Sequence, residues 1–195
     1  PVFRYERFEI EKSPARLVAR FIFSAPPDIS FKPEVIFEPV REGWNSVPGE
    51  FLRNAIFHLG LAELFTYWKA TASPRFEIHA GNLTADQAAW WEDLLIHGMG
   101  EYFYANDIDF TQDEFVRIVP APNESTPKSC PAYPDALPAR GLLTIGGGRD
   151  SALTGALLRD SKQPFTCMML NPSAAARNIT RLVSPEEPVV ITRSI

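Results

Sequence analysis

"LLTIGGGRDSALTGALLRD", residues 142–160, sets a short apolar run, three consecutive glycines and an Arg-Asp-Ser step directly before a segment rich in Ala and Leu. That order is the grammar of a buried strand, a tight turn and the opening of a helix. Glycine in such a turn lets φ become positive and lets another group approach the main chain with no Cβ in the way. The first N–H groups of a helix lack partners, and its dipole places about half a positive charge there, so the turn suits an anion. Asp150 or Ser151 can cap the helix, and Ser151 can also donate to a phosphate oxygen. The loop is not G-x-x-x-x-G-K-[ST], because no Gly-Lys-Ser/Thr follows. Nor is it G-x-G-x-x-G, because Ser151 occupies the last glycine's place. A tight turn without chemistry is the competing reading of the same residues.

Working outward from the loop, "GLLTI", "FTCMML" and "PVVITRS" are short apolar strands, with a helix over 151–159 after the first of them. Short continuous apolar strands alternating with a helix predict a parallel α/β sheet. Upstream, residues 119–139 hold six prolines, which exclude a helix or a central strand and predict a linker or long ordered loop. Before that lies a different pattern. Residues 2–10 and 16–24 read as a hairpin turning at "EKSPA", and "SFKPEVIFEP" as an extended segment interrupted by Pro33. A helix is predicted from about Glu50 to Tyr67 on the recurrence of Phe51, Ala55, Leu59, Ala62 and Phe65. "RFEIHA" (75–80) reads as a short strand. Thr84 and Gln87 form a capping-box signature for a helix reaching roughly Tyr104. The expected organisation is therefore an α+β domain over 1–118, a Pro-rich linker over 119–138, and an α/β parallel-sheet module over 139–195.

The net charge of −5 argues against a nucleic-acid coat or a binder of anionic membranes, so any phosphate site must be local. Cys130 and Cys167 form no C-x-x-C pair and suggest no disulfide framework, which fits a reducing compartment. No apolar stretch reaches the ~18 residues of a membrane span. A cytoplasmic setting, with no membrane or nucleic-acid partner, is the expectation.

Gly147-Gly148-Arg149-Asp150-Ser151 resembles the pyrophosphate loop (Ser-Gly-Gly-x-Asp-Ser) of the PP-loop ATP pyrophosphatases, with Gly146 standing where most members have Ser. "YWKA" (67–70), "HAGNLTADQAAWWEDLLIHGMGEYFYAND" (79–107), the proline-rich connector, "GGGRDS" and "LNP", in that order, resemble the UDP-N-acetylmuramoyl-L-alanyl-L-glutamate epimerase family. The resemblance implies the first part of a PP-loop (adenine nucleotide alpha-hydrolase-like) domain behind a substrate-side domain. It implies an isomerase that uses ATP and Mg²⁺ to invert the terminal L-Glu of a UDP-muramoyl dipeptide through an acyl-adenylate, in peptidoglycan precursor synthesis. The expected nucleotide contacts are Gly146, Gly147, Gly148, Arg149, Asp150 and Ser151 on pyrophosphate, with Met169 and Asn171 beside the adenine.

Glu101, a carboxyl flanked by Gly100 and aromatics, and Lys69 are candidate acid/base or substrate groups, each with a solvated helix residue as the competing reading. Arg177 and Asn178 are candidate contacts to nucleotide or substrate. His58, His79 and His97 lack metal spacing, and no metal ligand set is assigned. Trp90, Trp91, Tyr102, Phe103 and Tyr104 read as packing. With only three strands after the linker, the α/β module is expected to expose a sheet face and to need its remaining half as partner. Two other functions stay open: a PP-loop enzyme acting on tRNA or a nucleobase, and a non-catalytic nucleotide-binding scaffold.

Overall fold

The computed structural model describes residues 1–38, 47–112, 114–120 and 139–194. In chain order the elements are β1 (Phe3–Lys12), β2 (Leu17–Ala25), β3 (Ile29–Phe31), β4 (Glu34–Glu38), α1 (Gly49–Trp68), β5 (Arg75–Ile78), α2 (Ala85–Gly98), α3 (Gly100–Ala105), β6 (Arg117–Pro120), β7 (Gly141–Thr144), α4 (Arg149–Asp160), β8 (Phe165–Leu170), α5 (Ala174–Val183) and β9 (Val189–Ser194). The content is α+β with mixed strand pairing. Two compact units are formed. The first takes 1–9, 20–32 and 49–132; the second takes 10–19, 33–48 and 133–195. Cys130 and most of the proline-rich stretch lie outside the described residues.

In the first unit the strands run in the order β6-β5-β1-β2, with β3 against β2. β5 lies parallel to both β1 and β6, whereas β3 is antiparallel to β2. Alternation along β1 and β2 puts Phe3, Tyr5, Phe21 and Phe23 on one fully buried face. Each such aromatic contributes on the order of 2 kcal/mol by leaving water. Trp68, also fully buried, ends α1 and donates from Nε1 to the Ser73 carbonyl at 2.8 Å. Arg4 and Glu77, on paired strands, form a 2.7 Å ion pair that holds the Glu77 carboxyl below its ordinary range.

The helix expected from Glu50 is present, but its buried face is not the predicted one. Leu52, Ile56, Phe57, Gly60, Leu61, Leu64, Tyr67 and Trp68 face inward. Ala55 and Ala62 are exposed, and Phe51, Leu59 and Phe65 half-buried. Nearly every turn of α1 offers apolar residues on more than one side, so periodicity could not choose the face; the aromatic strand surface chose it. Gly60 is where α1 lies closest to the sheet, since a Cβ there would stand 2.0 Å from Tyr5 Oη. That hydroxyl is buried without a hydrogen-bond partner among the described residues, and burial drives its pKa far up. Tyr5→Phe therefore removes an unpaid desolvation and is expected to raise stability by about 1 kcal/mol, read from the denaturant midpoint.

The capping box at Thr84 forms in both directions: Thr84 N–H donates to Gln87 Oε1 at 3.0 Å, and Gln87 N–H donates to Thr84 Oγ1 at 3.2 Å. The helix does not run on to Tyr104 as expected. It stops at Gly98, and α3 restarts after Met99. β6 went unread in the sequence, and it carries Val119 and Pro120 as strand residues. Glu92 of α2 accepts the Ile118 N–H at 2.6 Å, which fastens that strand. Among the aromatics expected to pack, Trp91 and Phe103 are buried, but Trp90 and Tyr104 are 57% and 89% exposed.

In the second unit the order is β4-β9-β8-β7. β7, β8 and β9 are parallel, as predicted, while β4 pairs antiparallel with β9. The helix α5 between β8 and β9 was not anticipated. It is short, and its N-cap, Ser173, is its main sequence signal. Ile145, Phe165, Cys167, Met169, Ala176 and Val183 form the core. α4 meets α5 where a Cβ on Gly155 would come within 2.9 Å of Val183. On the other face Leu142 and Leu170 stand 61% and 57% exposed. Among the described residues no helix is long and apolar enough to cross a membrane.

Candidate functional site

The three glycines follow β7 at the carboxyl ends of the parallel strands, where open α/β sheets bind ligands. Only Gly147 needs its residue type for conformation, with φ +96°. A Cβ there would sit 3.1 Å from both the Ala176 N and Ser173 Oγ, at the start of α5. The close approach that the sequence demanded is thus made by the chain's own next helix. Gly146 and Gly148 are different: a Cβ on either meets nothing within 4 Å, so the space in front of them is open.

The N-termini of α4 and α5 consequently meet at Gly147. α4 begins after Gly148, its N-cap, and no side chain caps it, contrary to the expectation for Asp150 or Ser151. Ser151 Oγ instead donates to the Gly148 carbonyl at 3.0 Å, which leaves its lone pairs but not its proton facing outward. Ser173 caps α5 by accepting the Ala176 N–H at 3.2 Å. The first turn of α4, which no side chain caps, and the two helix dipoles would favour an anion of phosphate size. Arg149 and Asp150 are exposed beside them. The residues present therefore fit a polyphosphate, bound mainly by main-chain donors. Among the described residues no group of three or more His, Cys, Asp or Glu is arranged to hold a metal ion.

Along α5 runs a groove of about 650 Å³, with Met169 and Val190 in its floor, Arg177 and Arg181 on one flank and Glu186 and Glu38 among its other residues. Arg140 fixes the Glu186 side of this groove: it pairs with Glu186 and donates to the Phe165 carbonyl and Thr166 Oγ1, both at 2.7 Å. Burial, with Glu186 beside it, pushes the Cys167 thiol up, and Cys167 is packed into the core. Met169 is 2% exposed and its sulfur accepts from Thr180 Oγ1 at 3.3 Å. Asn171 sits at φ +43° with its side-chain amide committed to Arg193, accepting its N–H at 2.8 Å and donating to its carbonyl at 3.1 Å. It closes the β8–β9 crossover as a surrogate strand residue.

Lys69 and Glu101 belong to the first unit, both exposed. The Lys69 ammonium lies 5.8 Å from the centre of the Tyr102 ring, and Tyr102 Oη donates to the Lys69 carbonyl at 2.9 Å. Glu101 lies exposed in the first turn of the six-residue α3. His79 stands 3.4 Å from Glu77 and His97 pairs with Asp93 one turn away, which are structural roles.

The fold is that of an α+β protein with a mixed sheet, and comparison with known families agrees with the motif order. The family model of the MurL N-terminal domain matches residues 1–195, and the chain belongs to that family. It is similar to a protein of Xanthomonas oryzae pv. oryzae (strain MAFF 311018) named UDP-N-acetyl-alpha-D-muramoyl-L-alanyl-L-glutamate epimerase, at 24% identity over 195 residues. That match covers 94% of this chain and 42% of the relative, so the chain spans less than half of the relative's length. No solved structure matches.

Proposed function

We propose that this chain is the substrate-side and loop-bearing part of an ATP- and Mg²⁺-dependent epimerase acting on the terminal L-Glu of UDP-MurNAc-L-Ala-L-Glu, in the cytoplasm. The observation that carries the reading is the pair of helix N-termini meeting at Gly147, with open space at Gly146 and Gly148. The α-proton of Glu is too weakly acidic to remove beside a free carboxylate. ATP would supply the activation by turning that carboxylate into an acyl-adenylate, whose carbonyl can accept electron density.

The residues' part is positional. The first-turn amides of α4 would hold the leaving diphosphate, and Arg149 would add a positive charge beside them. Arg177, whose guanidinium makes no hydrogen bond or ion pair among the described residues, follows the residue that touches Gly147, and it would contact the nucleotide or the substrate's carboxylate. Glu101 and Lys69 stay in the proposal as substrate contacts of the first unit. The second half of the PP-loop module would add to β7 and cover the Leu142–Leu170 face.

The test is to incubate the full-length protein with ATP, Mg²⁺ and the L-Glu dipeptide precursor, following AMP by chromatography and D-Glu by chiral analysis. The expected result is that the two products appear together. ATP bound tightly without AMP would select a non-catalytic nucleotide binder. AMP formed with tRNA and not with the dipeptide would select a nucleobase-modifying enzyme.

A further inference from the structure

The first unit carries a second concavity, of about 450 Å³, lined by His58, Asp86, Gln87, Trp90 and Trp91. Its volume falls within the range of small-molecule sites. Trp90 presents more than half of its surface to solvent, an unusual place for the largest apolar side chain. Its ring stands at 83° to that of Trp91, with centroids 4.9 Å apart. Trp91 is itself held rigid between His58, stacked at 6.0 Å, and Phe65, edge-on at 5.7 Å. The wall is thus two indoles at a right angle, one of them immobilised by its neighbours.

The polar complement is specific. Asp86 offers acceptors only. Gln87 has its carbonyl oxygen taken by the Thr84 N–H, which leaves its amide NH₂ to donate. Half-burial lowers the His58 pKa, so its imidazole is uncharged at neutral pH and presents one donor and one acceptor. No Lys or Arg is among the described residues lining this concavity, and Asp86 repels anions, so phosphates and carboxylates are disfavoured. A planar base offers few hydroxyl-type donors for Asp86. A pyranose offers several, together with an apolar C–H face for an indole, and an acetamido methyl fits the corner between two rings.

We propose that His58, Asp86, Gln87, Trp90 and Trp91 form a subsite for an uncharged, N-acetylated pyranose, stacked on Trp90 with its hydroxyls on Asp86. The subsite deepens the function proposed above, since the named relative acts on an N-acetylmuramoyl compound, but it needs neither ATP nor the glycine loop.

Saturation-transfer NMR without ATP tests it, with N-acetylglucosamine, UDP-N-acetylglucosamine and UDP as probes. The expected result is strong transfer to the pyranose and acetyl-methyl protons of both sugars. Trp90→Ala, at an exposed site, is expected to weaken sugar binding about tenfold with an unchanged circular dichroism spectrum, and Asp86→Ala about threefold. UDP alone should be indifferent to both. Sugar affinity unmoved by Trp90→Ala, no transfer to either sugar, or UDP displacing the sugar as well as UDP-N-acetylglucosamine does would each overturn the proposal. So would a concentration-dependent self-association abolished by Trp90→Ala without any effect of sugar. Sugar bound normally by a protein that releases no AMP would sink the ATP reading alone, and the converse would sink the subsite alone.

Discussion

Gly147→Ala is expected to cut ATP-dependent AMP release at least ~100-fold while costing the fold little, because main-chain donors aimed at developing charge are worth about that much. At φ +96° a side chain is strained, and its Cβ would press on the Ala176 N and Ser173 Oγ at 3.1 Å. Strain of this kind costs on the order of 1–2 kcal/mol. In an exposed turn it is relieved by moving the turn away from α5, which spoils the convergence of the two N-termini before it spoils the core. The measurement is a pair of readouts on one protein: AMP by chromatography and the thermal midpoint by circular dichroism. Gly146→Ser is the control. It points into open space and restores the hydroxyl that most PP-loops carry, so its activity should equal or exceed the parent's. A Gly147→Ala variant with full AMP release would remove the physical basis of the proposed function.

Gly60→Val is expected to have the largest effect on folding. The added Cβ would lie 2.0 Å from Tyr5 Oη, 2.5 Å from Tyr5 Cζ and 2.8 Å from Phe21 Cδ1, all in rigid rings within a buried surface. No flexible side-chain end can yield there, so α1 must lift from the strands. Overpacking of this kind costs about 3 kcal/mol, and at this chain length it lowers the thermal midpoint by about 10 °C. Adding Tyr5→Phe removes the nearest atom but leaves Cζ in place, so the double variant should recover only part of the loss. An unchanged midpoint in Gly60→Val would mean that α1 does not seat on Tyr5 as described.

Much of the architecture was legible because local rules and tertiary demands agree. Alternation in "VFRYERFEI" marked β1, the branched and aromatic residues of "RLVARFIFS" marked β2, the Thr84–Gln87 pair marked the start of α2, and apolar runs after the linker marked β7, β8 and β9. Where several local solutions were equally good, the sequence was silent. α1 could have turned any of several apolar sides inward, and Gly98-Met99-Gly100 permitted either a break or a continuous helix. Met169 and Asn171 show the same division at the site. Their position at the end of a buried strand was readable, whereas the Thr180 contact of one and the Arg193 clamp of the other depend on α5 and β9.

The order of residues 142–160 was sufficient to determine a strand, a glycine turn and a helix start, because those features depend on steric limits and hydrogen bonding within a few residues. Which glycine is indispensable, and whether an indole faces the core or the solvent, was decided only by what folds against them. Gly147 is constrained by a helix that begins 27 residues later, and Trp90 is exposed because Trp91 fills the place between His58 and Phe65. Packing between distant segments is set by excluded volume in three dimensions, and no local pattern encodes it.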